Sequence, residues 1–341
     1  MSTYFGYNRG NADNTYRVYN RGISYREHEG ADVTDLTLMT FASDPATVLP
    51  SLVLLSHRVR VLPMDAASLV KMPENTILVL HVFVLQEEQL EDVQVPAPTP
   101  EEAKVAEFIV DRVNDGDTIQ LGIGGIINAI AAGLESKQHL GCFTEMFSDA
   151  FVELQQKGVI DNSRKNFMPG VSVAGYSTGT QRLYDFIHEN PSMYYTSYET
   201  VCNPALIAKN DNLVSVNTAV SIDLTGQVCA ESIGARQYSA SGGQFDFVRG
   251  VKNSKGGRGF IAVTSVAHTK NGPVSKIVPT LAPGSAITSL RNDVHFIATE
   301  YGVVDLRWAD IPTRAQRLIS IAHPDFRDEL TYEAKKLGFL Y

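Results

Sequence analysis

The stretch DTIQLGIGGIINAIAAGLESKQHLGCFTEMFSDAFVELQQK, Asp117 to Lys157, decides how the rest of the chain is read. It alternates strand, glycine loop, helix, strand, acid and helix. Thr118–Leu121 reads as a strand, Gly122–Ile126 as a tight loop and Asn128–Ser136 as a helix. Gly141–Thr144 reads as a second strand that delivers Glu145 at its carboxyl end. Ser148 or Asp149 caps the next helix, and Gly158 stops it. In open α/β sheets ligands bind beyond the carboxyl ends of the strands. A glycine loop and a carboxylate leaving two such ends are therefore expected to face one ligand.

The loop Gly122, Ile123, Gly124, Gly125, Ile126 has the chemistry of an anion or oxyanion cradle. Glycines let backbone N–H groups approach a ligand without a Cβ in the way, at a helix end whose dipole favours negative charge. The alternative is a plain strand–helix turn. A dinucleotide fingerprint wants a third glycine where Ile127 stands, yet Glu145, 23 residues after Gly122, is placed like a ribose-binding acid. Glu145 lies among Cys142, Phe143, Met146 and Phe147. A carboxylate in such apolar company has its pKa tuned by burial, as nucleophilic and acid–base carboxylates require. A surface acid or a helix N-terminal charge is the alternative. Glu231 is a second, weaker candidate acid.

Further along, Gly242 and Gly243 open a strand-like run that continues to Gly250. Arg236, Arg249, Lys252, Lys255 and Arg258 surround it, with Asp246 the only acid between 236 and 258. A basic, glycine-rich region inside an acidic protein suits a phosphate-bearing ligand, against the alternative of a solvated turn cluster.

The totals bound the class. With 341 residues the chain has room for two domains, and 44% hydrophobic with 20% charged residues is a globular composition. A net charge of −9 argues against a general nucleic-acid binder. Cys142, Cys202 and Cys229 are odd in number and widely spaced, as reduced cytosolic thiols would be, without zinc-ligand spacing. The strongest apolar run, Ile77–Leu85, is too short to span a bilayer, and the start of the chain lacks a signal-peptide layout. Cytoplasmic localisation, no membrane and no metal are the resulting expectations.

Residues 1–31, rich in Tyr, Asn, Arg and Gly, are expected to form an irregular arm that contacts a partner rather than RNA. Strands are expected at Leu36–Phe41, Ser51–Leu55, Val59–Pro63 and Thr76–Leu85. Val95–Pro100 is a stiff proline-rich linker. Thr99 N-caps the helix that follows, Pro100 takes its first position, Glu102 completes a capping box and Gly116 ends it. The domain boundary is placed here, giving an N-terminal α/β part over 1–98 and a second domain over 99–341. Downstream, Thr180–Glu189 and Thr313–Ala322 read as helices. Leu213–Val216, Ser221–Leu224, Phe260–Val266 and Asp293–Thr299 read as strands, so the expected class is α/β, a sheet covered by helices.

Several segments carry a resemblance. From about Pro96 onward the chain resembles the acetyl-CoA hydrolase/transferase family, which includes 4-hydroxybutyrate and butyryl-CoA:acetate CoA-transferases. The matching segments are Gln120–Ile126, His139–Asp149, Gly179–Asp185, Gly242–Gly250, Ser289–Asp293, Thr299–Gly302 and Ile321–Phe326. The resemblance implies a two-domain fold of the NagB/RpiA/CoA-transferase type, with open sheets, helices on both faces and a reduced N-terminal domain. It implies a ping-pong transfer of CoA between an acyl-CoA and a short-chain carboxylate. Glu145 would be the nucleophile that transiently carries coenzyme A as a thioester. Gly122–Ile126 would contact CoA; from the residues themselves, Gly242, Gly243 and the basic Lys255 are expected to bind it as well, and the incomplete first part with its aromatic arm points to a homodimer. An acyl-CoA hydrolase using the same acid, or a non-catalytic CoA-binding subunit, are the alternatives. The chain departs from the family pattern at Ile127, where proline is usual, at Phe143-Thr144 before the acid, and at Ala240-Ser241 before the glycine pair. Residues 1–73 do not match.

Overall fold

The computed structural model describes residues 97–341, within a compact unit that runs from Glu91 to Tyr341. The arm over 1–31 and the strands expected before Val95 lie outside the described residues. At the start of the described part, the Thr99 side chain accepts from the Glu102 backbone at 3.2 Å and Glu102 reciprocates on the Thr99 N–H at 2.8 Å. This capping box opens the helix Pro100–Val110, which ends ahead of Gly116 rather than at it.

A central sheet of six strands organises this unit. In chain order they are β1 (Thr118–Leu121), β2 (Gly141–Cys142), β3 (Leu213–Thr218), β4 (Arg258–Ala262), β5 (Phe296–Thr299) and β6 (Gly302–Asp305). Their spatial order is β6-β5-β4-β3-β1-β2. β2, β1, β3, β4 and β5 pair in parallel, and β6 returns antiparallel on β5. The order reverses between β1 and β3, so the switch point of this doubly wound sheet lies where the chain leaves β1 into Gly122.

Strand side chains alternate between two faces, and the two faces bury different helices. Val214, Val216, Phe260, Ala262 and Ala298 pack in one core with Val105 and Ile109 of Pro100–Val110 and Ile127 and Ile130 of Gly125–Gly133. Ile261 and Ile297 share a second core with Val248, Leu318 and Leu330, and Leu213 a third with Phe247 and Val251. Helices therefore cover both faces of the sheet, as expected.

Several local expectations are corrected. The run after Gly243 is a helix, Gln244–Asn253. Its apolar residues suggested a strand, but Phe247, Val248 and Val251 fall on one helical face and are buried there. The helix after the first glycine loop starts earlier than expected, at Gly125, and passes through a 3₁₀ turn at Leu134–Ser136. β5 begins at Phe296 rather than Asp293, because Asp293 and Val294 turn back onto the Leu290 carbonyl. β4 stops at Ala262. The expected stop before Pro324 holds, with Ile311–Ser320 ending first, but Pro324 also opens a further helix, Pro324–Lys336, behind an N-cap at His323.

Candidate active site

Only Gly141 and Cys142 of the second predicted strand join the sheet. Beyond them the chain peels away from β1. Phe143 still donates to Ile119, but the Thr144 backbone donates to the Val173 carbonyl, and its hydroxyl reaches the carbonyls of Leu121 and Met146. Thr144 is fully buried. It fixes the next residue, Glu145, at the carboxyl edge of β2, alongside the point where Gly122 leaves β1. The Glu145 carbonyl accepts from the Gly175 and Tyr176 backbones at 2.8 and 3.1 Å. Met146 pairs in parallel with Tyr176, which brings that tyrosine to the same edge.

The carboxylate of Glu145 is half-buried. Its Oε2 accepts from the backbone N–H of Gly243 at 2.9 Å, a contact across 98 residues of sequence. A Cβ on Gly243 would lie 2.7 Å from Oε2 and equally close to the Cys202 sulfur, so only glycine admits the carboxylate here. Gly242 beside it adopts a positive φ of 55°, and a Cβ there would face Oε1 at 3.6 Å. Two sequence-predicted elements, the acid and the glycine pair, are thus in contact.

Burial pushes the Glu145 carboxyl above its ordinary range. The Gly243 N–H and the Tyr198 hydroxyl pull it back, while the Asp246 carboxylate adds to the rise; the net direction is upward. Burial and the negative charge of Glu145 also push up the Tyr198 hydroxyl and the Cys202 thiol, so both stay protonated around neutrality. Tyr176, Tyr198 and Cys202 were not singled out from sequence. They sit on a two-residue strand, a four-residue helix and its cap, elements too short to carry a periodic signal.

The first glycine loop is open where it matters. Gly124 caps the helix Gly125–Gly133 with φ 117°, and a Cβ built there would meet nothing within 4 Å. Ile123 projects outward at 62% exposure, Gly122 lies against Val216 and Asn217, Gly125 closes onto the Glu102 carboxylate, and Ile126 is buried. Beneath the loop, at the switch point, Gln120, Ser215 and Asn217 form a buried hydrogen-bonded network. Polar side chains there stiffen the base of the loop without opening it to water.

The basic residues are not gathered here. Arg249 and Lys252 both pair with Asp293, at 2.9 and 3.0 Å, and Arg258 pairs with Asp117 at 2.7 Å. Arg236 stacks over Tyr238, and Glu231 is turned to the Thr288 hydroxyl. Lys255 is exposed in the turn behind the Gln244–Asn253 helix, where its carbonyl accepts from Asn212 just ahead of β3. The helix carries it about 15 Å from Gly243 at 1.5 Å per residue, to the amino edge of a sheet whose carboxyl edge holds Glu145. Lys255 thus lies at the far end of this helix from the glycine pair. The three cysteines are free thiols, and the described residues contain no His/Cys/Asp/Glu grouping able to hold a metal. No helix among them is long and apolar enough to cross a membrane.

The doubly wound α/β sheet thus carries, at its carboxyl edge, a half-buried carboxylate that accepts from the Gly243 backbone. Residues 179–334 match the family model described as the acetyl-CoA hydrolase/transferase C-terminal domain, and this part of the chain belongs to that family. Residues 34–84, outside the described part, match a second model, the N-terminal domain of the transcription regulator GlnR. The chain is 47% identical over 252 residues to a succinyl-CoA:cyclohexane-1-carboxylate CoA transferase of Geobacter metallireducens, covering 74% of this chain and 57% of that protein. It is 46% identical over 245 residues to a 4-hydroxybutyrate coenzyme A transferase of Clostridium kluyveri, covering 72% of this chain and 57% of that one. Among solved structures it resembles RipA from Yersinia pestis, with a TM-score of 0.70, 41% identity, and 74% and 56% of the two chains covered. The chain thus spans little more than half the length of these relatives.

Proposed function

We propose that the chain is the catalytic part of an acyl-CoA:carboxylate CoA-transferase, with its chemistry in the domain over 99–341 and Glu145 as the nucleophile. The observation that carries this reading is the hydrogen bond from the Gly243 N–H to Oε2 of a desolvated Glu145. A carboxylate attacks a thioester poorly in water, and partial removal of its solvent shell raises its reactivity. A directed N–H keeps it ionised and aimed.

In the proposed cycle, Oε1, the oxygen not bound by Gly243, attacks the acyl-CoA carbonyl. The C–S bond breaks, leaving an acyl-glutamyl anhydride and CoA thiolate. The thiolate attacks the Glu145 carboxyl carbon and expels the first carboxylate, so that CoA is held as a glutamyl thioester. An incoming carboxylate reverses both steps. The open backbone around Gly124 offers N–H donors to the substrate oxyanion, each worth on the order of 3 kcal/mol. The family and both named CoA-transferase relatives support this class of reaction.

The test is covalent trapping. Incubation with acetyl-CoA or butyryl-CoA, followed by borohydride reduction and peptide mass spectrometry, is expected to modify Glu145. An active protein in which Glu145 stays unmodified rules the scheme out.

A further inference from the structure

A wall of tyrosine rings stands along the backbone that holds Glu145. The Glu145 carbonyl accepts from the Gly175 and Tyr176 N–H groups, and a Cβ on Gly175 would lie 3.1 Å from that carbonyl and 3.8 Å from Cε2 of Tyr198. The Tyr198 ring therefore packs beside the same stretch of chain. One turn further on, the Cys202 N–H donates to the Tyr198 carbonyl. A Cβ on Gly243 would lie 2.7 Å from both the Cys202 sulfur and Oε2 of Glu145. The short helix Tyr198–Val201 thus runs alongside Glu145, with its first ring near the backbone carbonyl and its cap near the carboxylate.

Two more rings extend the wall. Tyr176 stacks on Tyr198 with centroids 5.9 Å apart and planes 19° apart. Tyr195 ends the strand Met193–Tyr195, which pairs with Ser172–Ala174, and its hydroxyl is hydrogen-bonded to Ser177. The three side chains keep between 39% and 46% of their surface exposed, so their faces are open to a ligand. Phenol rings present flat apolar faces with a polar tip, a surface that favours another flat or apolar group.

The charges around the acid point the same way. Asp246 lies in the first turn of the helix that begins beside Gly243 and adds negative charge at Glu145. The neighbouring cations are already engaged: Arg249 and Lys252 by Asp293, and Lys165 by the carbonyls of Cys142 and Val171. We propose that the acid exchanged at Glu145 is a monocarboxylate with a ring or other bulky apolar tail, and that Tyr176, Tyr195 and Tyr198 bind that tail and set the specificity. This names the substrate class for the reading of Glu145 as the CoA-carrying residue, and it rests on that reading.

The carboxylate end of such an acid reacts at Glu145, while its tail covers the ring faces and releases water from both surfaces. A dicarboxylate would bring a second charge to a surface that holds Asp246 and offers no counter-ion, and would lose its hydration without compensation. Acetate reaches Glu145 but leaves the rings uncovered.

The test supplies the wild-type protein with butyryl-CoA and benzoate, phenylacetate, acetate or succinate, and follows each new acyl-CoA by mass spectrometry. The two ring acids are expected to exceed acetate in kcat/KM by about tenfold or more, and succinate on the order of a hundredfold. Tyr198→Ala and Tyr176→Ala are expected to lose more on the ring acids than on acetate, chiefly through KM, whereas Tyr198→Phe keeps the ring and the preference. Acetate or succinate matching the ring acids in wild type overturns the proposal. So does an equal loss on every acid in the alanine variants, and if neither variant folds the wild-type ranking decides. Peptide mapping after butyryl-CoA without acceptor reads the underlying step separately. CoA on Glu145 without a ring preference overturns this proposal alone, and absence of CoA on Glu145 overturns both.

Discussion

Gly243 donates its backbone N–H to Oε2 of Glu145 at 2.9 Å, and any side chain at Gly243 would occupy the space that the carboxylate fills. The same glycine supplies both the donor and the room. Gly243→Ala is expected to reduce kcat by two to three orders of magnitude, because its Cβ must displace either the carboxylate or the Cys202 sulfur. Steady-state kinetics beside a thermal melt checks this. Loss of rate with a nearly unchanged melting temperature is the expected pair of results.

Glu145→Gln is expected to abolish transfer while stabilising the fold at neutral pH. The folded carboxyl titrates above its unfolded value, chiefly through burial, so ionised Glu145 costs stability at any pH above its folded pKa. That cost is absent below the unfolded carboxyl range. Denaturant melts of the two proteins should therefore differ at pH 7 and converge under acid conditions. Wild-type kcat/KM should also begin to fall at a higher pH than an ordinary glutamate would produce.

Asp293 titrates in the opposite sense. Burial opposes its charge, but hydrogen bonds and charge from Lys252 and Arg249 outweigh this and hold the carboxyl below its ordinary range. The stability it contributes is present above the unfolded carboxyl range and is lost as pH falls through the folded pKa. Asp293→Asn is expected to cost about 1–2 kcal/mol at neutral pH, reduced from the value for a buried charged pair because both cations are partly exposed. Chemical denaturation at neutral and acid pH measures both the size and the convergence.

Lys255→Ala is expected to change KM for an acyl-CoA less than twofold, since the helix places Lys255 at the sheet edge opposite Glu145. A tenfold rise in KM, with kcat retained, would return Lys255 to the CoA site.

Gly250→Ala tests the packing behind the site. A Cβ there would lie 2.4 Å from Cγ2 of Ile207, where the Gln244–Asn253 helix crosses the short helix Pro204–Ile207. Overpacking of this kind costs about 1–3 kcal/mol. The expected signature is a lower melting temperature together with slower transfer, because the helix that begins beside Gly243 is displaced.

Much of this was legible in the chain itself. Thr99, Pro100 and Glu102 specify a helix start through contacts within one turn, and β1 with its glycine loop is a local pattern of apolar residues and missing side chains. Glu145 stood out as an acid among Cys142, Phe143, Met146 and Phe147, and the family resemblance raised it above the alternative of a surface acid. The helical character of Gln244–Asn253 was less legible, since a short apolar run satisfies strand and helix alike until its neighbours choose a face.

What the order of residues determined by itself is local: the strand–loop–helix unit at the switch point, the capping box, and the identity of one acid and two glycine loops. Only the tertiary structure decided that Gly243 meets Glu145 across 98 residues, that the Tyr176 and Tyr198 rings stack, and that Lys255 sits at the far end of its helix from Gly243. The physical reason is that caps and turns are set by bonds within a few residues, whereas these contacts depend on parallel pairing and helix direction. Each of those is settled by burying apolar faces that lie far apart in the chain.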